Sequence, residues 1–133
     1  MTRARDVFFY GTLLDTDVLT RVVGHAVPST RLIPGTIQGY QRVYVQGEAF
    51  PTLVEGAGVI DGLVYRTCGP KDWERIFAYE RAEYDLAQER AQTEQGAFDV
   101  HVFVKGKTQR ATDKHWDYPS WRRLHKRSYL RSI

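Results

Sequence analysis

The run Val7-Phe-Phe-Tyr10, bounded by Asp6 and Gly11, limits what this chain can fold into more than any other stretch. A β-branched residue and three aromatics in a segment this short read as a buried strand. Gly11 then permits a sharp turn that other residues resist. A helical pattern follows from about Asp15, so a strand feeds a helix through a glycine turn. Such a turn can present consecutive backbone N–H groups to an anionic or polarised oxygen. An ordinary connection accounts for the glycine equally well, and what distinguishes the two lies seventy residues downstream.

Asp15 or Thr16 can cap the helix; Val18, Leu19, Val22 and Val23 form its apolar stripe, and Gly24 ends it. Pro28 to Gly39 reads as a loop or edge strand, because Pro34, Gly35 and Gly39 punctuate it. Tyr40–Gln46 and Phe50–Glu55 read as strands separated by a short turn, and Gly56–Gly58 as a second turn. In Val59–Thr67, Val59, Leu63 and Tyr65 share one face and Ile60 and Val64 the other, with both sides covered. Gly62 within that strand points to a bulge or a close approach by another backbone. Lys71–Arg81 reads as a helix, and Tyr84–Thr93 and Phe98–Val104 as strands meeting at Gly96. In the last of these Phe98, Val100, Val102 and Val104 face one way.

At least six strands interrupted by two short helices, with no regular alternation, argue against a doubly wound sheet. The expected architecture is α+β: a small mixed β-barrel with short helices at its edge. Residues 1–133 form a single domain with a basic, aromatic tail from about residue 113. The 42% apolar and 13% aromatic content suffices for a packed core. Trp116 and Trp121 are expected to pack back on the body. No stretch nears the roughly 20 apolar residues of a membrane span, no signal peptide is visible, and the single Cys68 suits a reducing compartment. A cytoplasmic protein is expected.

The formal charge of +3 hides an asymmetry. Arg122 to Ile133 holds five basic residues and no acidic one, whereas the rest carries fourteen basic against sixteen acidic. A basic tail can bind nucleic acid, with Trp116 and Trp121 stacking bases, but more often it is simply solvated.

The Lys71–Arg81 helix carries an anomaly. Trp73, Ile76 and Phe77 are spaced as an apolar stripe, and the next member is Glu80, within roughly 20° of Trp73. A carboxyl on a buried face has its pKa raised, which suits it to accept and donate protons near neutral pH. Alternatively the helix ends by Tyr79 and Glu80 is exposed, or Glu80 pairs with Arg81. Cys68 has no neighbouring base and reads as a small buried thiol. His25, His101, His115 and His125 show no ligand spacing, so no metal site is expected.

Taken together, Val7-Phe-Phe-Tyr-Gly-Thr-Leu13, Gly39-Tyr40, Phe50-Pro-Thr-Leu-Val54, Gly58-Val-Ile-Asp-Gly-Leu-Val-Tyr65, and Tyr79-Glu80 followed by Tyr84 resemble the gamma-glutamylcyclotransferase-like family, including its gamma-glutamylamine cyclotransferase branch. The resemblance runs in order from Val7 to about Val104. It implies a small mixed barrel and release of 5-oxoproline when the α-amine of a γ-glutamyl group attacks its own γ-carbonyl. It also implies Glu80 as proton acceptor and a glutamyl site at Tyr10, Gly11, Thr12, Leu13 and Tyr84. The substrate would be a small γ-glutamyl amine or peptide, with no cofactor. The sequence departs from the family where Phe77 replaces an acidic residue, Arg81 a glycine, Leu86 an arginine and Phe103 a tyrosine. These changes either retune the substrate or mark a domain that binds without turnover.

Overall fold

The computed structural model describes residues 4–80 and 83–133. Its strands are β1 (Arg5–Phe9), β2 (Leu32–Val45), β3 (Pro51–Cys68), β4 (Tyr84–Thr93), β5 (Gly96–Lys105) and β6 (Ala111–His115). Its helices are α1 (Thr16–Val23), α2 (Pro70–Glu80), α3 (Tyr118–Leu124) and α4 (Lys126–Ser132). The strand order is β3-β1-β5-β4-β2-β6, and a further β2–β3 pairing closes the first five into a small barrel. The β1–β5 pair is parallel and the other pairs are antiparallel, so the barrel is mixed, as expected.

Alternation along β1 explains its apolar composition. Phe8 and Tyr10 enter the barrel interior with Ile37, Leu53, Val64, Val100 and Val102. Val7 and Phe9 face outward into a second core formed with Leu19, Val23, Ile76 and Trp121. From Val7 onward, burial on both faces leaves no place for a polar residue until the strand ends. The β5 alternation holds too, since Val100 and Val102 line the interior with Phe98 and Val104 packed against them.

Two segments depart from the sequence reading. Leu32 to Val45 is one continuous strand, so of the two readings for Pro28–Gly39 the strand holds from Leu32, and it runs on through Gly39 without a break. Its pairing with β3 shifts between Gln38 and Tyr40, where Gly39 has φ +94°, so the glycine marks a bulge. Gly56–Gly58 lies within β3 and is no turn. A Cβ on Gly58 would sit 2.6 Å from the Tyr40 carbonyl, so small residues there clear the bulged partner strand. Gly62 does mark a close approach, because its Cβ would fall 2.1 Å from the Phe9 carbonyl.

The α1 cap was legible and does more than cap. Asp15, 1% exposed, accepts from the N–H groups of Asp17 and Val18 at 3.0 and 3.2 Å. It also accepts from the Tyr118 hydroxyl at 2.8 Å and pairs with Lys126 Nζ at 3.0 Å. Burial alone would raise its pKa, but the bonds from Tyr118 and Lys126 outweigh burial and hold it below the usual carboxylate value. One carboxylate therefore ties α1 to both C-terminal helices.

Trp116 and Trp121 are 2% and 0% exposed, so the tail packs on the body as expected. That burial removes both rings from any nucleic-acid surface, which corrects the base-stacking role considered for them. Within α2, Ile76 is buried but Phe77 is exposed, and Asp72 takes a buried place the stripe had not assigned it. Asp72 accepts from Tyr65 at 2.6 Å and meets His25 Nε2 at 2.9 Å. The expected helix end at Arg81 lies outside the described residues. No helix among the described residues is long and apolar enough to cross a membrane.

Replacing Asp15 by Ala removes a helix cap and strands a phenol and an ammonium. We expect a loss of about 2–4 kcal/mol, read as a lower melting temperature at pH 7. Because the folded pKa is depressed, this stabilisation is present above an unfolded value of about 3.9 and lost as pH falls through the folded value. The gap between wild type and Asp15→Asn should therefore narrow below about pH 4.

Candidate active site

Where β1 ends, the chain makes a single 3-10 turn, Thr12–Leu14, before entering α1. Leu14 N–H bonds to the Gly11 carbonyl at 3.0 Å and Asp15 N–H to the Thr12 carbonyl at 3.1 Å. A turn this short has no internal acceptors for its first N–H groups, those of Gly11, Thr12 and Leu13. The Tyr10 carbonyl is held by Arg42 Nη1 at 2.9 Å, and Arg42 is fixed in turn by Asp61 at 2.6 Å. In a trans peptide the Gly11 N–H points opposite to that carbonyl, so Arg42 sets its direction from behind. A Cβ on Gly11 would press on Pro51 at 2.9 Å, which keeps this backbone against β3.

A small, partly enclosed cavity opens on this turn. It is lined by Tyr10, Gly11, Thr12, Leu13, Glu80 and Tyr84, the six residues singled out from sequence, together with Phe8, Phe9, Pro51 and Phe103. Tyr10 donates to the Phe103 carbonyl at 2.5 Å and Tyr84 to the Pro51 carbonyl at 2.7 Å. Both phenols thus serve as fixed walls. The roles of Pro51 and Phe103 had no signal in the side chains, because each contributes a backbone carbonyl.

Glu80 closes the cavity from the last turn of α2. Ile76, one turn earlier and fully buried, seats that helix against the outer core and carries Glu80 inward. Among the described residues the Glu80 carboxyl has no hydrogen-bond or ion-pair partner. Burial first, and the negative charge of Glu83 second, push its pKa up to about 8. Tyr10 and Tyr84 are raised mainly by burial, and the charge of Glu80 adds to both. Burial likewise pushes the Cys68 thiol up to about 12, so it stays protonated and unreactive at neutral pH.

Three of the positions that depart from the family can be located. Phe77 and Leu86 are exposed, and Phe103 is buried with its ring stacked on Trp73 at 5.8 Å. Arg81 lies outside the described residues. Sequence reasoning missed Tyr79 and Tyr129: Tyr79 places its hydroxyl 3.0 Å from Thr12 Oγ1 and also contacts the Tyr129 hydroxyl.

A family profile described as "Gamma-glutamyl cyclotransferase, AIG2-like" matches residues 7–123. AIG2-like protein A of Arabidopsis thaliana is 24% identical over 96% of this chain and 78% of its own length. AIG2-like protein B of the same plant is 20% identical over 96% of this chain and 75% of its own length. Among solved structures, one in solution from Arabidopsis thaliana superposes with a TM-score of 0.72 at 23% identity, covering 98% of this chain and 89% of that one. A structure described as a gamma-glutamyl cyclotransferase gives 0.66 at 13% identity, covering 81% and 69%. At such identities the structural likeness establishes the fold.

Burial of an unpartnered carboxyl has a thermodynamic signature. Because the folded pKa of Glu80 is raised, stability is fully present below about pH 4.5 and lost as pH rises through about 8. Glu80→Gln removes that loss. The variant should melt above wild type at pH 9, by about 2–4 kcal/mol of added stability, and equal it near pH 4.5. Thermal unfolding at both pH values checks the sign.

Proposed function

The chain belongs to the gamma-glutamyl cyclotransferase, AIG2-like family, and on that premise we propose that it releases 5-oxoproline from a γ-glutamyl amine or peptide with Glu80 moving the protons. Family membership supports activity of this general type. The observation that carries the finer reading is a half-buried carboxyl, without a partner among the described residues, that shares one small cavity with the Tyr10–Leu13 turn.

The chemistry divides between the two walls. The substrate's α-ammonium must lose a proton before its nitrogen can attack. A free α-amino group titrates at about 7.7–8.0. The α-amine of a γ-glutamyl compound, beside its own carboxylate, titrates above such a terminus, and raising Glu80 to about 8 narrows the gap between the two groups. The nitrogen then bonds to the γ-carbonyl carbon, closing a five-membered lactam, and the carbonyl oxygen gathers negative charge. Backbone N–H groups of the turn would receive that charge, each worth roughly 10²–10³ in rate. The bond from the γ-carbon to the leaving nitrogen breaks as Glu80 returns the proton to that nitrogen. The attacking nitrogen sheds a second proton as it becomes the lactam N–H, and the departing amine takes it up, so carboxylate, lactam and an ammonium product balance the step. Nucleophile and electrophile share one molecule, so the cavity walls need only fold the glutamyl chain for ring closure.

Incubation with a panel of γ-glutamyl amines and peptides should release 5-oxoproline. Glu80→Gln should lower kcat by roughly 10²–10⁴ while substrate still binds. For wild type, kcat/KM should rise with pH through about 8 as the carboxyl ionises. Absence of 5-oxoproline with every member of the panel would overturn the reading.

A further inference from the structure

Thr12 sits at the cavity with 6% of its surface exposed, and its hydroxyl is held from outside the turn. Tyr79, on α2 next to Glu80, places its hydroxyl 3.0 Å from Thr12 Oγ1. The Tyr79 hydroxyl in turn meets that of Tyr129 on α4. Tyr129 lies beyond residues 7–123, the span that the family profile matches. We propose that Tyr129 is a positioning residue: acting through Tyr79, it sets the direction of the Thr12 hydroxyl at the cavity wall, so that the C-terminal helices complete the substrate site. The inference rests on the reading of the cavity as a glutamyl site.

Proton counting carries the argument. Three hydroxyls in a row hold three protons and need two for the bonds between them. The remaining proton sits at one end of the row. If the bonds run Tyr129 to Tyr79 to Thr12, Thr12 keeps its own proton for an oxygen in the cavity. If they run the other way, Thr12 spends its proton on Tyr79 and can only accept. An anionic or polarised substrate oxygen favours the first arrangement, and successive bonds of one sense reinforce each other. Burial pushes both phenols up, so they stay protonated at neutral pH and act as hydroxyls. Without the Tyr129 oxygen, Tyr79 has no outer partner and its hydroxyl no longer favours one direction.

The tail is built to hold Tyr129 in place. Its ring meets Trp121 edge-on at 5.6 Å, and Trp121 is fully buried. Lys126 pairs with Asp15 at 3.0 Å and Asp17 at 2.8 Å. Arg21 of α1 donates to the carbonyls of Leu130 and Ile133, each at 3.0 Å. These contacts bracket Tyr129 on both sides along α4, so the position of its hydroxyl is set by the body of the protein.

The experiment compares wild type, Tyr129→Phe, Thr12→Val and the double variant. Phenylalanine keeps the ring against Trp121, and thermal unfolding verifies that each variant is folded. Tyr129→Phe should raise KM for a γ-glutamyl substrate about tenfold, the scale of one hydrogen bond to a polarised oxygen, with kcat within about twofold. In the Thr12→Val background it should change KM by less than about twofold, since the residue it acts through is gone. In ligand-free protein, Tyr129→Phe should also shift the amide resonances of Gly11, Thr12 and Leu13. An unchanged KM in Tyr129→Phe, an equal KM loss in the Thr12→Val background, or unmoved amides would each overturn the inference. If wild type releases no 5-oxoproline, the functional reading fails, and the amide resonances alone decide whether Tyr129 sets the turn.

Discussion

Closure of the barrel around β1 is the constraint on which the other features depend. A strand with a neighbour on each edge, a barrel interior on one face and helices on the other can hold only apolar side chains. The absence of a Cβ at Gly62 lets the β1 backbone lie close against β3. After Asp6, which pairs with Arg66 at the strand's start, the next polar chemistry available to β1 lies just past its end, where Tyr10 reaches Phe103 across the interior and Arg42 takes the Tyr10 carbonyl. The turn that follows inherits a fixed starting direction, and Asp15 fixes its other end. A segment anchored at both ends keeps its N–H groups in place without needing acceptors for them.

The opposing wall is obtained at a cost. Ile76 gains by full burial, and the helix that buries it carries Glu80 one turn further into the cavity. A carboxyl held there without a partner prefers its neutral form, which stabilises the fold at low pH and weakens it at high pH. This acid contrasts with Asp15, which is more deeply buried and is supplied with two backbone donors, a phenol and an ammonium. The two carboxyls have opposite shifts for that reason: hydrogen bonding dominates at Asp15, desolvation at Glu80. Structural acids are surrounded by donors, whereas a proton-transfer acid must be left room for a substrate.

Local signals were legible where a single residue type had one physical use. The Asp15 cap, the Gly24 helix end, the close approach at Gly62 and the β5 alternation all fall in this class. Of the cavity residues, Glu80 and Gly11 were legible as anomalies, a polar residue at an apolar position and a glycine after a buried strand, whereas Tyr10, Thr12, Leu13 and Tyr84 came only with the family resemblance. The long strands β2 and β3 were not legible, since a bulge at Gly39 and the small residues facing it look locally like turns. Their continuity comes from pairing with each other across the barrel, which sequence-local reasoning does not contain. Phe77 was misplaced for a related reason: the α2 stripe turned toward Asp72, whose partners Tyr65 and His25 are distant in sequence. Tyr129 was hidden because its partner lies fifty residues away.

The departures from the family pattern look different once placed in three dimensions. The Phe103 ring stacks on Trp73, outside the barrel, while its backbone carbonyl anchors Tyr10. Loss of a phenol at that position therefore leaves the anchor intact, because a carbonyl performs it. Leu86 pairs in register with Phe103 and Phe77 lies 6.3 Å from it, and both are exposed. The three substitutions thus gather on one aromatic patch outside the cavity's polar groups, where they exchange polar chemistry for packing. The polar contacts at the cavity come instead from Thr12, Tyr10, Tyr84 and Glu80 with backbone carbonyls, and none of these depends on residue 77, 86 or the side chain of 103. The three positions lie on the outer side of α2, β4 and β5, while the inward side holds the acid and the turn on one cavity.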